Sequence, residues 1–376
     1  MKVAVVAPRY TEVGGMQNYV RSVVSLLRDH PDFEVVVVTT RPGLRRTVET
    51  YDGVQVVRLG TWFTLSNTPV NPLWWWHLRR LFRRAGVQLI NAHSPVPFLA
   101  DLAVLAAGGR PVVLTYHAGS LVKGVGGVVD LLLRAYERWV LPAIFARCAR
   151  LVAVSPVAMT QRLAGAPVIA PGVDTGRFAT ADVGRTRSIA FVGRIERSSR
   201  WKGLQVLIDA VPAIARQVPD VVLDVIGGGD DLPAMKARAD ELGVGARVRW
   251  HGFVAHDDLP AVLQRAGVTV LPSLTEAESF GMALVEAMAA GCPVVGSAVG
   301  GIPYVIDDGV NGVLVPPGES AALAAAVSGV LTDPARAARL GAAGRCAAET
   351  VWDVSHQHER TLAELRAAAQ AGVPAR

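Results

Sequence analysis

The sequence predicts an α/β protein made of two doubly wound parallel sheets in series, and three observations carry that prediction. Short β-branched runs alternate with longer segments of helical period, the pattern of a parallel sheet covered on both faces. The alternation fails around Pro171 to Arg187, where Gly, Pro, Asp, Thr and Arg accumulate, and then restarts. The 376 residues also exceed the roughly 250–300 at which a single core usually stops growing. Two lobes of similar size follow, with a cleft expected between them.

In the first lobe, Val3–Ala7, Glu34–Thr39, Val54–Arg58, Gln88–Asn91, Val112–Thr115 and Leu151–Val154 read as strands. In the second, Ser188–Val192, Val221–Ile226, Arg247–Trp250, Val268–Leu271, Pro293–Ser297 and Gly312–Val315 do so. The division expected is a first domain over 1–172, a linker over 173–187 and a second domain over 188–354. The last helical stretch, from about Ser355, follows Trp352 and leads into no strand, so the segment 355–376 is expected to pack back onto the first domain.

Hydrophobic residues at 51% and charged residues at 19% suit two buried cores and exclude a disordered chain. No apolar run approaches the roughly 18 residues needed to span a bilayer, and the stretch Val3 to Val6 is too short for a signal-peptide core. Cys148, Cys292 and Cys346 are too few and too scattered for a disulfide framework or a zinc site. A cytoplasmic location is expected. The net charge of +6 favours anionic partners without selecting one.

Ligands of open parallel sheets bind beyond the carboxyl ends of the strands, so the chemistry is expected in the loops there. The segment Glu278-Ser-Phe-Gly-Met-Ala-Leu-Val-Glu286 places one carboxylate just before a helix and another inside it. Between them, Phe280, Gly281 and Met282 are expected in the first turn, where unpaired N–H groups and the helix dipole favour an anion or a sugar hydroxyl. Carboxylates accept hydrogen bonds from vicinal hydroxyls. A capping acid and a solvated helix face are the alternative for two such glutamates taken alone.

Gly193-Arg194 follows the first strand of the second lobe, and Lys202-Gly203 opens the next helix. A cation on either side of this turn can clamp a diphosphate and stabilise its departure, so no metal is required. The sequence contains no Asp-any-Asp triplet of the kind that holds a divalent ion in sugar transferases of the other common architecture. Arg200 lies in the same loop and is the substitute for Lys202; a solvated basic loop is the alternative. On the first lobe, Gly14-Gly15 precedes a helix beginning near Met16. His93 and His117 follow the fourth and fifth strands on the same rim, and the Gly-rich stretch Gly119 to Gly127 follows His117.

Taken together, these residues make the chain resemble the family-4 retaining glycosyltransferases. The likeness runs from Gly14-Gly15 through Arg194, Lys202-Gly203, Glu278 and Glu286 to Gly300-Gly301-Ile302-Pro303 and Asn311-Gly312. It implies the GT-B architecture, with two Rossmann-like domains: the first for the acceptor, the second for a nucleotide sugar. It implies a UDP- or GDP-linked hexosyl donor, no cofactor, no metal, and a glycan, lipid-linked or small-molecule acceptor, in routes such as cell-envelope polysaccharide or glycolipid synthesis.

By the same resemblance, Arg194 and Lys202 hold the diphosphate, with Gly193 beside them. Glu278 and the backbone of Phe280, Gly281 and Met282 hold the transferred sugar, Glu286 the ribose, and Phe253 lies beside the base. Gly14, Gly15 and His93 fall on the acceptor side, and His117 touches the donor sugar near the reacting carbon. Members keep the anomeric configuration, the departing diphosphate taking the acceptor's proton. Seven residues separate Arg194 from Lys202, more than in many members, and Tyr304 stands where a glutamate is common; no role is carried to Tyr304.

The stretch Leu73 to Arg84 reads as a helix with Trp74, Leu78, Leu81 and Phe82 on one face and Arg79, Arg80, Arg83 and Arg84 on another, with Trp75 and Trp76 near the arginines. Tryptophan beside arginine suits anionic headgroups, which points to peripheral contact with the inner membrane face through Trp74–Arg84. A solvated basic face is the alternative.

Within the same fold, the rival function is a nucleotide-sugar 2-epimerase, which consumes no acceptor. A dehydrogenase is disfavoured because Gly227-Gly228-Gly229 is followed by Leu232 where its fingerprint needs glycine. A nucleic-acid module is disfavoured because no aromatic-basic recognition motif is present.

Overall fold

A computed structural model describes residues 1–10, 14–65, 68–122, 128–178 and 184–371. The chain forms two units, one of Met1–Ala170 with Ser355–Arg376 and one of Pro171–Val354. At the start of the expected linker, Val173 N–H donates to Trp352 O at 2.8 Å, and Val354 N–H donates back to Val173 O at 2.9 Å. Residues 179–183 of that segment lie outside the described residues, as do 123–127 of the Gly-rich stretch after His117 and 372–376 of the terminal segment.

The first unit runs β1 (Lys2–Val6), α1 (Gly15–Asp29), β2 (Glu34–Pro42), β3 (Thr47–Tyr51), β4 (Val54–Thr61), β5 (Phe63–Leu65), β6 (Thr68–Val70) and α2 (Trp74–Arg84). It continues with β7 (Leu89–Ser94), α3 (Leu99–Leu105), β8 (Val112–Tyr116), α4 (Val128–Ala135), α5 (Leu141–Phe145), β9 (Arg150–Ala153) and α6 (Met159–Ala164). Its seven-stranded sheet has the order β3-β4-β2-β1-β7-β8-β9. All pairs are parallel except β3 with β4.

The alternation of side chains along a strand explains the two-sided burial. On β1, Ala4 and Val6 join one buried cluster with Trp74, Leu78 and Phe82 of α2, while Val3 and Val5 join another with Val20, Val23 and Leu27 of α1.

In the second unit come β10 (Ser188–Val192), α7 (Leu204–Gln217), β11 (Val222–Ile226), α8 (Leu232–Glu241), β12 (Val248–Gly252), α9 (Leu259–Arg265), β13 (Val268–Leu271) and α10 (Met282–Ala289). They are followed by β14 (Val294–Ser297), α11 (Ile302–Val305), β15 (Val313–Val315), α12 (Ser320–Leu331) and α13 (Pro334–Thr350), whereas the last helix, α14 (Val354–Ala371), belongs from Ser355 onward to the first unit. The six strands are all parallel, in the order β12-β11-β10-β13-β14-β15. Ile189 and Phe191 of β10 pack with Leu207, Val211 and Ile214 of α7 and with Leu323 and Val327 of α12.

All twelve strands read from the sequence are present, with ends shifted by up to three residues. The antiparallel β3 and the small β5-β6 pair are additions. β3 escaped the sequence reading because four of its five side chains are exposed and give no apolar alternation. Its signal is the turn Asp52-Gly53, where both residues have positive φ, 50° and 73°, the geometry of a two-residue hairpin.

Helix α14 buries Leu365 and Ala368 in the cluster that holds Val3, Tyr19 and Val113. Polar contacts tie the same helix to the first sheet's layer: Ser22 Oγ lies 2.8 Å from His358 Nε2, and Arg150 Nε lies 3.7 Å from Glu364. Among the described residues no helix is long and apolar enough to cross a membrane.

Candidate active site

In the second sheet β10 and β13 are hydrogen-bonded neighbours, and the chain passes from β10 to β11 on one side and from β13 to β14 on the other. Their loops diverge at the carboxyl edge and leave the crevice that such a change of direction creates. Gly193 and Arg194 follow β10 at that edge, and Ser273 and Glu278 lie in the segment after β13.

Lys202, at the end of a 3-10 turn spanning Arg197–Lys202, crosses to the β13 loop. Its Nζ donates to Glu278 Oε2 at 2.9 Å, and Ser273 Oγ donates to the same oxygen at 3.3 Å. The ammonium also lies 4.5 Å from the centre of the Trp201 ring, which attracts a cation. Both partners are largely shielded from water, with side-chain exposures of 18% and 10%. Removing either charge would leave the other poorly compensated.

Gly193 lets this lysine pass: a Cβ there would sit 3.1 Å from Lys202 Cδ. Arg194 stays half-exposed, its nearest carboxylate being Glu196 at 3.7 Å. Arg200, the substitute cation, is committed elsewhere: its Nε and Nη2 both grip Asp231, at 2.7 and 2.6 Å. That bidentate pair holds the Asp231 carboxyl below its ordinary range. Lys202 is thus the cation that the fold brings to Glu278, despite the long loop before it.

Helix α10 starts at Met282, so Phe280 and Gly281 precede the first turn that they were expected to occupy. Gly281 caps the helix with φ 98°, a left-handed conformation that suits glycine. The Phe280 side chain points away from solvent, 5.4 Å from the Trp352 ring and 6.4 Å from that of Tyr304, so only its backbone is offered to a ligand. Tyr304 completes this aromatic cluster, its ring 5.3 Å from that of Trp352.

Gly300 and Gly301 hold the Glu278 segment from behind. Gly301 N–H donates to Glu278 O at 2.8 Å, and a Cβ at Gly300 would lie 2.1 Å from that oxygen. Glu286 faces inward from α10 and is 6% exposed; burial pushes its carboxyl up to about 7, with Arg177 opposing the shift. Phe253, just past β12, exposes its ring while packing against Gly228.

In the first unit, Gly15 opens α1 with no atom within 4 Å of where its Cβ would be, and Gly14 has extended backbone. His117 follows β8 and is 8% exposed. His93, read as an acceptor-side contact, has no exposed surface: its ring nitrogens are taken by Asn91 at 2.9 Å and His117 at 3.0 Å. The sequence could not reveal this, because burial of β7 on both faces depends on the helices laid over it. Ser273, Trp201 and Asn91 were not singled out from sequence either; polar side chains of these types carry no positional signal until the strands are paired.

Two doubly wound sheets in series, the second with a lysine-carboxylate pair at its change of direction, define an α/β protein of the two-Rossmann-domain class. Family models agree: residues 13–177 match "Glycosyltransferase Family 4" and residues 174–346 match "Glycosyl transferases group 1". A GDP-mannose-dependent alpha-(1-6)-phosphatidylinositol monomannoside mannosyltransferase of Mycolicibacterium smegmatis is 31% identical, over 94% of each chain. A phosphatidyl-myo-inositol mannosyltransferase of the same organism is 28% identical over 87% of this chain and 84% of its own.

Among solved structures, sucrose-phosphate synthase from Thermosynechococcus elongatus superposes with a TM-score of 0.77 at 23% identity, covering 97% of this chain and 98% of its own. Anabaena HepE with UDP and glucose gives 0.76 at 22%, over 97% and 99%. These likenesses show the GT-B fold. The chain belongs to the family-4 glycosyltransferases and is an enzyme of that class.

Proposed function

We propose that this enzyme is a retaining, metal-independent hexosyltransferase that takes mannose from GDP-mannose and places it on a hydroxyl of a membrane glycolipid. The observation that carries the reading is the Lys202–Glu278 pair at the carboxyl edge of the second sheet, with Arg194 in the loop after β10 and the N-terminus of α10 following Glu278. The donor and acceptor classes rest on the mannosyltransferases named above. Those relatives transfer a sugar, and the 2-epimerase alternative gives way to that reading.

In this mechanism Lys202 and Arg194 neutralise the diphosphate, supplying charge where a divalent ion acts in other transferases. Glu278 accepts hydrogen bonds from the mannose hydroxyls, and the N–H groups at the start of α10 add a positive dipole. Glu286, once ionised, accepts from the ribose, and Phe253 stacks beside the base. The C1–O bond to the β-phosphate breaks as the acceptor oxygen bonds C1 on the same face; the acceptor proton passes to the departing phosphate oxygen. In the first unit His117 contacts a sugar hydroxyl, and Gly14 and Gly15 leave room on the acceptor side. The protein's contribution is alignment and charge stabilisation.

We assign the enzyme to the cytoplasmic face of a membrane, where a lipid-linked acceptor is met. On α2, Trp75 and Trp76 are exposed, with Arg79 and Arg80 stacked 5.6 and 5.3 Å from their respective ring centres, while Trp74, Leu78, Leu81 and Phe82 are buried. The exposed pairs present aromatic and cationic groups together, as an anionic interface requires.

The test is turnover of GDP-mannose with a phosphatidylinositol-type acceptor. Arg194→Ala and Glu278→Ala should each lower kcat by roughly two orders of magnitude with an unchanged circular-dichroism spectrum. The product should keep the α configuration by NMR, and EDTA should leave the rate intact. Near-parental rates in both variants, an inverted product, or loss with EDTA restored by magnesium would each remove the corresponding part of the reading.

A further inference from the structure

Beneath the carboxyl rim of the first sheet, Asn91, His93 and His117 form a continuous chain of side-chain hydrogen bonds. Asn91 and His93 are two apart on β7, so they share a face, and His117 follows the adjacent β8. Asn91 and His93 are 1% and 0% exposed. Tyr19 closes the group, its ring edge-on to His93 at 5.9 Å and to His117 at 4.9 Å.

The direction of this chain follows from donor and acceptor chemistry. Asn91 Nδ2 donates to the Val113 carbonyl at 3.4 Å, which turns the amide oxygen towards His93 Nε2 at 2.9 Å. That oxygen can only accept, so His93 Nε2 carries a proton. A neutral imidazole has one N–H, leaving His93 Nδ1 bare to accept from His117 Nε2–H at 3.0 Å. His117 then has a bare Nδ1. Neutrality is enforced by burial, which pushes His93 down to about 3 and His117 well below its ordinary value, with His93 lowering it further. Among the described residues His93 is the one side-chain hydrogen-bond partner of His117.

We propose that Asn91 and His93 are positioning residues that lock His117 in its Nε2–H tautomer, so that the Nδ1 lone pair accepts a hydrogen bond from a hydroxyl of a substrate sugar. This rests on the assignment of His117 to that sugar. The arrangement selects for a hydroxyl: a deoxy or fluoro sugar has no proton to give the lone pair, and a buried acceptor left unpaired costs binding.

The experiment combines histidine nitrogen NMR with kinetics on the full chain. In the 15N-histidine-labelled parent at pH 7.5, His117 should show a protonated Nε2 and a bare Nδ1. His93→Phe removes the acceptor and should release His117 into a mixture of tautomers, lowering kcat/KM for GDP-mannose by about 10- to 100-fold. His93→Gln restores an acceptor oxygen and should recover most of that loss; it also serves if the phenylalanine variant does not fold. Deoxy and fluoro analogues of GDP-mannose should lose discrimination in His117→Ala.

A parent His117 protonated on Nδ1, or on both nitrogens, overturns the proposal. So does a His93→Phe variant with parental kcat/KM, or one that His93→Gln fails to improve upon. If the tautomer is as inferred but His117→Ala keeps full activity and full discrimination, the assignment of His117 to the sugar falls, and the proposal falls with it while the hydrogen-bond chain stands.

Discussion

Glu286 shows how a single side chain couples chemistry to stability. An extended chain ionises this glutamate near its ordinary 4.5, whereas burial in the folded unit holds the proton until about pH 7. Its contribution is full below pH 4.5 and is lost as pH rises through 7, because the unfolded state has already released the proton. The shift corresponds to about 3 kcal/mol. Glu286→Gln, which stays neutral, should therefore gain melting temperature over the parent as pH goes from 4.5 to 8. A difference independent of pH would show that the carboxyl titrates normally. Ribose binding should move the other way, since an ionised carboxylate is the better acceptor.

Secondary-structure elements divide into those that position the site and those that support it from elsewhere. Helix α14 belongs to the second kind: Leu365 has no exposed surface and packs beside Val3 and Val113, far earlier in the chain. Leu365→Ala should cost about 2–5 kcal/mol in denaturant unfolding, with little change in KM for the donor. An effect under 1 kcal/mol would mean the helix is not docked as described. Helix α2 offers a different readout. If Trp75 and Trp76 meet lipid, the double alanine variant should sediment less with anionic liposomes than the parent, and equal sedimentation removes the membrane assignment. The buried half of α2 was legible from its 3.6-residue period, and so was the clash of exposed tryptophan with arginine. The hairpin closed by Asp52-Gly53 was equally available from its turn signal, yet its exposed strand hid it.

For the whole molecule, two units with their own cores, the first sheet's clusters and the second sheet's, make ligand response a test of which unit holds the nucleotide. GDP at about 100 times its Kd should stabilise the unit that binds it by about 2.7 kcal/mol. Hydrogen exchange with and without GDP should place the protection in β10, β13 and the start of α10. Protection confined to 1–170 would reverse the assignment of the donor to the second unit.

The sequence by itself determined the two doubly wound sheets, the break near Pro171 and the clustering of glycines, cations and carboxylates at the carboxyl ends of the strands. It could do so because strand and helix periods are local, and because parallel strands all end on one edge. Only the tertiary structure decided that Lys202 and not Arg200 meets Glu278, that Phe280 turns to Trp352, and that His93 lies buried under His117. Lys202 and Glu278 are 76 residues apart. Which side chains meet across such a span depends on strand order and on the layers packed above each loop, which no local pattern encodes.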